Sequence, residues 1–351
     1  MFEGGIVPPT GKRATIADVA AAAGVSRGTV SLALNGKGRM ADTTRERIQQ
    51  VAAELRYRPS LRGRRLRGGS SESVALMSAL PDAVVGRESH LNFLLAIALP
   101  LSKVLLERGY STLLLPPVTD PTDALANLDV DGAVVIDPMD NDHLCQELQE
   151  RGVQLVTVGR ADGVDAQGVI DRGYGGADLT LTHLAEQGAQ RILVLQTAER
   201  YTVARATERY LQDQPDLVAP GGRTVHIPVT EGASGGYRAT REALESASPP
   251  DAIYAPIDAF ALGAVDAVHD AGLQIPDDVM ICTNFDGPRA ATSQPPLTAL
   301  DLHLPELAES AGHLLLECLD APGGPPRVVQ APAPTLRPRQ STARRLGKVT
   351  P

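Results

Sequence analysis

The chain has 351 residues, of which 43% are hydrophobic and 3% aromatic, and its formal net charge is −9 at pH 7. Because one domain holds about 150 residues, this length predicts more than one hydrophobic core. The sequence has no apolar run near the roughly 20 residues of a membrane span and no apolar N-terminal segment typical of a signal peptide, so we expect a cytoplasmic protein without membrane contact.

Two short helices are predicted within residues 15–35, after a leader of residues 1–13 that we expect to be disordered. Thr15 and Asp18 have the three-residue spacing of a capping box at a helix start. Gly24 is typical of a helix end, because glycine adopts the left-handed conformation without a Cβ penalty. Ser26 can cap a second helix directly afterwards.

A third helix is predicted to begin with another capping box, formed by Thr43 and Glu46. Three short helices with a tight turn between the first two indicate a helix-turn-helix unit over residues 14–58, although the pattern also fits an ordinary helical hairpin. Charge favours the DNA-binding interpretation. Residues 1–70 carry 13 Lys/Arg and 5 Asp/Glu, whereas the rest carries 20 and 37, and a basic module is typical of a nucleic-acid reader.

The segment 59–71 is a basic linker with four arginines around one central leucine, Leu66. Taken alone, it fits a solvated linker as well as a DNA-contacting segment. Gly63 lies within it, and glycine costs a helix about 1 kcal/mol relative to alanine. We therefore expect Gly63 to weaken any helix that forms here.

From Ser73 onward, short apolar β segments alternate with amphipathic helices, which predicts parallel sheets covered by helices on both faces. Pro100 is expected to kink the helix over residues 91–108. The predicted strands are 74–79, 111–115, 132–136, 153–158, 191–195, 224–227, 252–254 and 279–283. The helices predicted most clearly are 176–187, 235–247, 259–271 and 305–319.

Catalytic motifs are not evident in the sequence. The seven histidines form no metal-binding or triad-like pattern, and the glycine-rich stretch 172–178 lacks a phosphate-loop lysine, so it is better explained as a tight turn before a helix. Cys145, Cys282 and Cys318 lie far apart and are expected to be buried thiols. We therefore predict no enzymatic activity, no metal and no cofactor.

The N-terminal motifs resemble one known family. TIADVAAAAGVSRGTVSLALNG, TRERIQQVAAELRYRPS and GRRL are similar to the headpiece and hinge of the lac-repressor (LacI/GalR) family of bacterial transcription regulators, and VDGAVVI (130–136) and NFDGPRAATSQPPLTAL (284–300) fit its body. The resemblance implies an N-terminal three-helix helix-turn-helix DNA-binding domain and a two-lobed α/β body like type I periplasmic binding proteins.

The same resemblance implies specific contacts with DNA. Arg27, Gly28 and Leu32 would lie on the helix that reads bases, where arginine can bond guanine bidentately. Other residues are expected to contact phosphates and so to position the protein on the duplex: Thr15, Ser26, Thr29, Ser31, Asn35 and Tyr57. In the hinge, Leu66 would enter the minor groove beside Arg64 and Arg65.

For the body, the resemblance implies an effector site between two lobes. Lobe one would comprise about residues 72–160 and 288–320, lobe two about 161–287 and 321–340, and residues 341–351 would form a flexible tail. The residues expected to bind the effector are Asn92, Phe93, Arg160, Arg205 and Asp286.

Together these features predict a homodimeric regulator, more readily a repressor than an activator, that binds a pseudo-palindromic operator in double-stranded DNA. A small molecule, a sugar or related metabolite, would control its affinity. The alternative is a solute-binding or sensor protein of the same two-lobed fold without operator specificity.

Overall fold

The computed structural model describes residues 15–34, 40–55, 70–80, 88–117, 121–126, 128–217 and 221–344, apart from the side chains of residues 88–92 and 124. The chain divides into two compact units, Met1–Ser71 and Glu72–Pro351. We call them the headpiece and the body.

The headpiece contains three helices, α1 (Ile16–Ala23), α2 (Arg27–Leu34) and α3 (Asp42–Glu54). The capping box at the start of α1 is confirmed, because the Asp18 carboxylate accepts hydrogen bonds of 2.7 Å from both the backbone N–H and the hydroxyl of Thr15. Gly24 ends α1 with a φ of 65°, as predicted. Each helix packs on the other two around one apolar core of Val19, Ala20, Ala23, Val30, Ala33, Ile48 and Ala52.

The predicted capping box of α3 is wrong. The helix begins at Asp42, its N-cap is Ala41, and no side chain caps it. Thr43 therefore already lies inside the first turn. The Asp42 carboxylate takes the favourable place of an anion near the helix N-terminus instead.

The body contains two parallel sheets, as predicted. The strands are β1 (Ser73–Ser78), β2 (Ser111–Leu114), β3 (Gly132–Ile136), β4 (Gln154–Val158), β5 (Gly168–Asp171), β6 (Ile192–Thr197), β7 (Arg223–Ile227), β8 (Ala252–Ala255), β9 (Met280–Thr283), β10 (Ala299–Asp301), β11 (Arg327–Gln330) and β12 (Thr335–Arg337). The first sheet has six strands in the order β11-β5-β4-β3-β1-β2 and the second has four in the order β7-β6-β8-β9.

Helices surround both sheets, since the parallel strands must be joined by crossovers. They are α4 (Glu88–Glu107), α5 (Pro121–Leu125), α6 (His143–Glu150), α7 (Ala177–Glu186), α8 (Thr202–Asp213), α9 (Gly232–Leu244), α10 (Asp258–Asp270), α11 (Pro288–Thr292) and α12 (Leu304–Asp320). Helix α4 continues through Pro100, and α12 packs against α4 and the first sheet. Among the described residues, no helix is long and apolar enough to cross a membrane.

The predicted division of the lobes needs correction. The resemblance predicts residues 168–171 and 327–330 in lobe two, but β5 and β11 pair with each other in the first sheet. The chain thus leaves lobe one after Asp171 rather than near Arg160. The chain returns to lobe one through β10. It enters lobe two again through β12, which pairs antiparallel with β10.

The end of the body is fixed rather than flexible at residues 341–344. Ser341 and Thr342 are buried. The Ser341 hydroxyl donates to the Ile281 carbonyl at 2.6 Å, and Thr342 bonds the imidazole of His183 at 2.8 Å. The segment therefore anchors to lobe two, which a local reading of its polar sequence could not show.

Candidate functional site

The start of α2 is exposed on the surface of the headpiece. Arg27 and Gly28 are exposed, and the Leu32 side chain, one turn later, is 46% exposed although it is apolar. Val30 and Ala33 on the opposite face are buried in the core. The outward surface of the helix therefore carries the cation of Arg27, no side chain at Gly28 and the apolar side chain of Leu32. Such a surface suits entry into a major groove.

Some of the residues predicted to contact phosphates also cap the N-termini of helices. The Ser26 hydroxyl accepts from the backbone N–H of Thr29 at 3.1 Å and bonds its hydroxyl at 2.9 Å. Thr15 is exposed and Ser31 half-buried. Five other predicted DNA contacts lie outside the described residues: Asn35, Tyr57, Arg64, Arg65 and Leu66.

Ser26→Ala removes the cap of α2, so we expect the free energy of opening that helix to fall by about 1 kcal/mol. Amide hydrogen exchange of residues 27–34 in the free protein should accelerate roughly fivefold. Ser31→Ala, inside the helix, is the comparison variant. Equal exchange rates in wild type and Ser26→Ala would show that Ser26 is not a cap.

In the body, a narrow cleft lies at the carboxyl ends of β1, β3, β8 and β9, where open α/β sheets bind ligands. Its volume is about 60 Å³, much less than the several hundred Å³ typical of ligand pockets. Phe93 and Phe285 meet edge to face inside it, with ring centroids 5.1 Å apart. The lining residues are Leu80, Phe93, Asp137, Arg172, Val203, Pro256, Ile257, Asp258, Asn284, Phe285 and Leu302.

An ion pair lines the polar part of this cleft. Arg172 donates to Asp137 at 2.7 Å, and each side chain is only 10% exposed. Burial raises the pKa of the Asp137 carboxyl, and the attraction and hydrogen bond of Arg172 offset part of this shift. Neither residue was singled out from the sequence. Arg172 lies in the glycine-rich stretch interpreted as a turn, and Asp137 directly follows a predicted strand, which was the available signal.

The predicted effector residues are spread over different places. Phe93 lines the cleft, whereas Arg160 and Arg205 line a larger neighbouring cavity. Asp286 is ion-paired with Arg339 and borders a third cavity. The side chain of Asn92 lies outside the described residues. The structure thus joins two of the five, Arg160 and Arg205, in one cavity.

Several polar contacts fasten the lobes together beside the cleft. Arg205 of lobe two pairs with Asp140 at 2.8 Å and Asp162 at 2.7 Å in lobe one, and Arg200 pairs with Asp140 at 2.9 Å. Partial burial opposes the charge of Asp140, but hydrogen bonds from Arg200 and the Asp162 backbone, with the attraction of Arg205, hold its pKa below the ordinary value.

The backbones of the lobes also approach closely at this point. The Thr202 hydroxyl hydrogen-bonds the carbonyls of Pro138 at 3.0 Å and Arg160 at 3.1 Å. Gly159 has a φ of 109°, and a Cβ there would clash with the Thr202 side chain. Only glycine fits such a position, so the sequence permits this closed arrangement of the lobes.

Matches to known proteins agree with this architecture. Residues 15–60 match the model of bacterial regulatory proteins of the lacI family, and residues 181–342 match a periplasmic binding protein-like domain. The transcriptional regulator CelR of Thermobifida fusca is 30% identical over 87% of this chain and 92% of its own length. The repressor PurR of Klebsiella pneumoniae strain 342 is 28% identical over 87% and 90%.

Solved structures show the same fold. A complex of the regulator CelR with cellobiose has a TM-score of 0.66 and 26% identity, covering 94% of this chain and 100% of that one. A lac repressor dimer bound to operator and the anti-inducer ONPF has a TM-score of 0.70 and 22% identity, covering 94% and 99%.

A helix-turn-helix headpiece joined to a two-lobed, periplasmic-binding-protein-like body defines a DNA-binding transcriptional regulator and not an enzyme. The chain belongs to the LacI family of bacterial regulatory proteins.

Proposed function

We propose that the protein is a homodimeric repressor that binds a pseudo-palindromic operator and releases or tightens it in response to a small molecule between the lobes. The observation that carries this proposal is the outward face of α2, where Arg27 and Leu32 stand exposed on a basic module. Its family of DNA-binding regulators supports a cytoplasmic, nucleoid-associated location.

For DNA recognition, we assign base reading to Arg27 with Leu32, and phosphate contacts to Thr15, Ser26 and Thr29. The capping bonds of Thr15 and Ser26 are compatible with this role, because a hydroxyl oxygen can both donate and accept. Binding of the lac repressor dimer to an operator supports DNA as the partner of this chain.

An apolar stripe on α4 supports the homodimer. Leu95, Leu99 and Leu106 are 40%, 72% and 69% exposed, and their spacing places them on one side of the helix. Burying this stripe against a second copy would remove it from water, which is the main driving force of subunit association. A two-fold dimer then presents two headpieces to the two halves of a palindrome.

The effector is assigned to the cleft that contains Phe93, Asp137 and Arg172. Apolar walls with a few fixed polar groups are typical of small-molecule sites. A sugar fits this chemistry, since aromatic rings can cover its C–H face while the carboxylate and guanidinium bond its hydroxyls, and the related CelR has been solved with cellobiose. At about 60 Å³ the cleft is too small to admit one without lobe opening.

Lobe opening would also break the pairs that Arg205 makes with Asp140 and Asp162. An effector that binds one degree of closure better than the other shifts the population toward it. We propose that this change of closure is how the effector alters operator affinity.

A thermal-shift screen of the full chain with cellobiose, other uncharged sugars and nucleosides tests the cleft. A compound at about 100 times its Kd should raise the Tm by roughly 5–10 °C. Phe93→Ala removes a wall of the cleft and should reduce that shift, whereas Val328→Ala, an exposed apolar residue of β11, should not. A compound whose shift survives Phe93→Ala unchanged would place the effector elsewhere.

A further inference from the structure

Gly28 differs from the other glycines in the described helices, because its own surroundings do not require a glycine. The described helices contain six glycines. Gly232 has a left-handed φ of 50°, and a Cβ would press on packed neighbours at four others, namely Gly235, Gly236, Gly263 and Gly312. A Cβ on Gly28 would meet only the Ser26 hydroxyl oxygen among the described residues, at 3.6 Å, which is ordinary van der Waals contact.

Glycine at an open helical position destabilises the helix that contains it. Glycine loses more conformational freedom on folding than alanine does. Helix α2 has only eight residues, so a single glycine is a large part of it. Since no described neighbour excludes a methyl group at Gly28, the packing of the headpiece does not explain the glycine, and we look for the reason in a partner.

Gly28 lies at the centre of the outward face of α2. With about 100° of turn per residue, this position faces about 170° away from the mean direction of Val30 and Ala33, which are the buried residues of the helix. Leu32 lies four residues later on the same outward face and is 46% exposed although it is apolar. The missing side chain of Gly28 thus leaves a recess, one methyl group deep, beside an apolar side chain.

We propose that Gly28 is a specificity-determining residue, and that its recess beside Leu32 receives the C5 methyl group of a thymine in the operator. This methyl is the apolar group that base pairs present in the major groove. A Cβ on Gly28 would occupy the same space and hold α2 away from the base edges. The assignment rests on the proposed function of operator recognition and adds the feature of the base that the helix reads.

Gly28→Ala in the full chain tests whether the glycine serves the DNA or the fold. In the free protein, amide hydrogen exchange of residues 27–34 should slow roughly two- to fivefold, because alanine favours the helix. Affinity for the selected operator should fall roughly tenfold, the loss of one good contact with a base. Affinity for random DNA should change much less, since that binding is shared among many phosphate contacts.

Deoxyuridine is the probe for the methyl group, because it lacks only the C5 methyl of thymine. Replacing each operator thymine in turn should identify one position per half-site at which the wild type loses roughly fourfold in affinity, as expected for one buried methyl group. Gly28→Ala should reverse this preference and bind the deoxyuridine operator better, because the alanine methyl fills the recess. Gln49→Ala, at an exposed position of α3, should keep the wild-type preference.

The assignment is overturned if the wild type binds thymine and deoxyuridine equally at every position, or if Gly28→Ala keeps the wild-type preference for thymine. It is also overturned if Gly28→Ala accelerates exchange in α2, because the fold would then require the glycine. Each of these results is compatible with operator binding by the wild type. A wild type that selects no DNA motif would instead overturn the proposed function, and this assignment with it.

Discussion

Arg27→Ala should lower affinity for the operator roughly 5- to 150-fold, the loss of about 1–3 kcal/mol expected for one bidentate contact with a base. Arg27 is exposed at the start of α2 and forms no ion pair within the described residues. Gly28 beside it contributes no side chain, so we expect Arg27 to carry more of the base reading. Affinity for random DNA should change much less, because sequence-independent binding is shared among many phosphate contacts.

The measurement is a titration of operator and random duplexes at two salt concentrations. Arg47→Ala is the matched control, since it removes the same charge from the exposed surface of α3. Arg47→Ala should lower the affinity for the operator and for the random duplex equally, or lower neither. If Arg27→Ala weakens operator and random DNA equally, Arg27 is a phosphate contact and the base-reading assignment is wrong.

Leu99→Asp should disrupt the dimer. Leu99 is 72% exposed in the single chain, and burying a leucine contributes about 1.5–3 kcal/mol per copy. In a two-fold interface both subunits lose this contribution, and each gains a buried carboxylate. We therefore expect the dimer Kd to rise more than a hundredfold. Operator affinity should fall with it, because one headpiece reads only half of a palindrome.

Sedimentation velocity over a range of protein concentrations measures this effect. Val328→Asp places the same charge on another exposed apolar residue, 48% exposed at the edge strand β11, and should leave the dimer intact. A Leu99→Asp protein that remains dimeric at the wild-type concentration would show that the α4 stripe is not the interface.

Local patterns in the sequence predicted the elements well wherever they were long or strongly periodic. The strand over 132–136 was predicted with its observed bounds, and Gly24 ends α1 as expected. The short strands β5 and β10 were missed, whereas β2, β8 and β9, which also have four residues each, were predicted, so length alone does not explain the misses. The lobe boundaries were misplaced because parallel pairing, as between β5 and β11, joins segments about 160 residues apart.

The functional residues divide in a similar way. The helix caps of the headpiece depend on neighbours three residues away, as with Ser26 and Thr29, so the sequence could predict those contacts. In the body, contacts between residues distant in sequence decide which side chains line the cleft and which are already ion-paired. Asp286 is ion-paired with Arg339, 53 residues later, and Arg172 is ion-paired with Asp137 in the lining of the cleft. Neither contact has a local signal.

Selection of binding sites from a random double-stranded DNA pool by the full chain tests the central claim most directly. We predict that the recovered sequences converge on one pseudo-palindromic motif, and that an uncharged compound that raises the Tm through the cleft changes the affinity for that motif. Recovery of no motif, with all sequences bound equally, would contradict the assignment of this protein as a sequence-specific regulator.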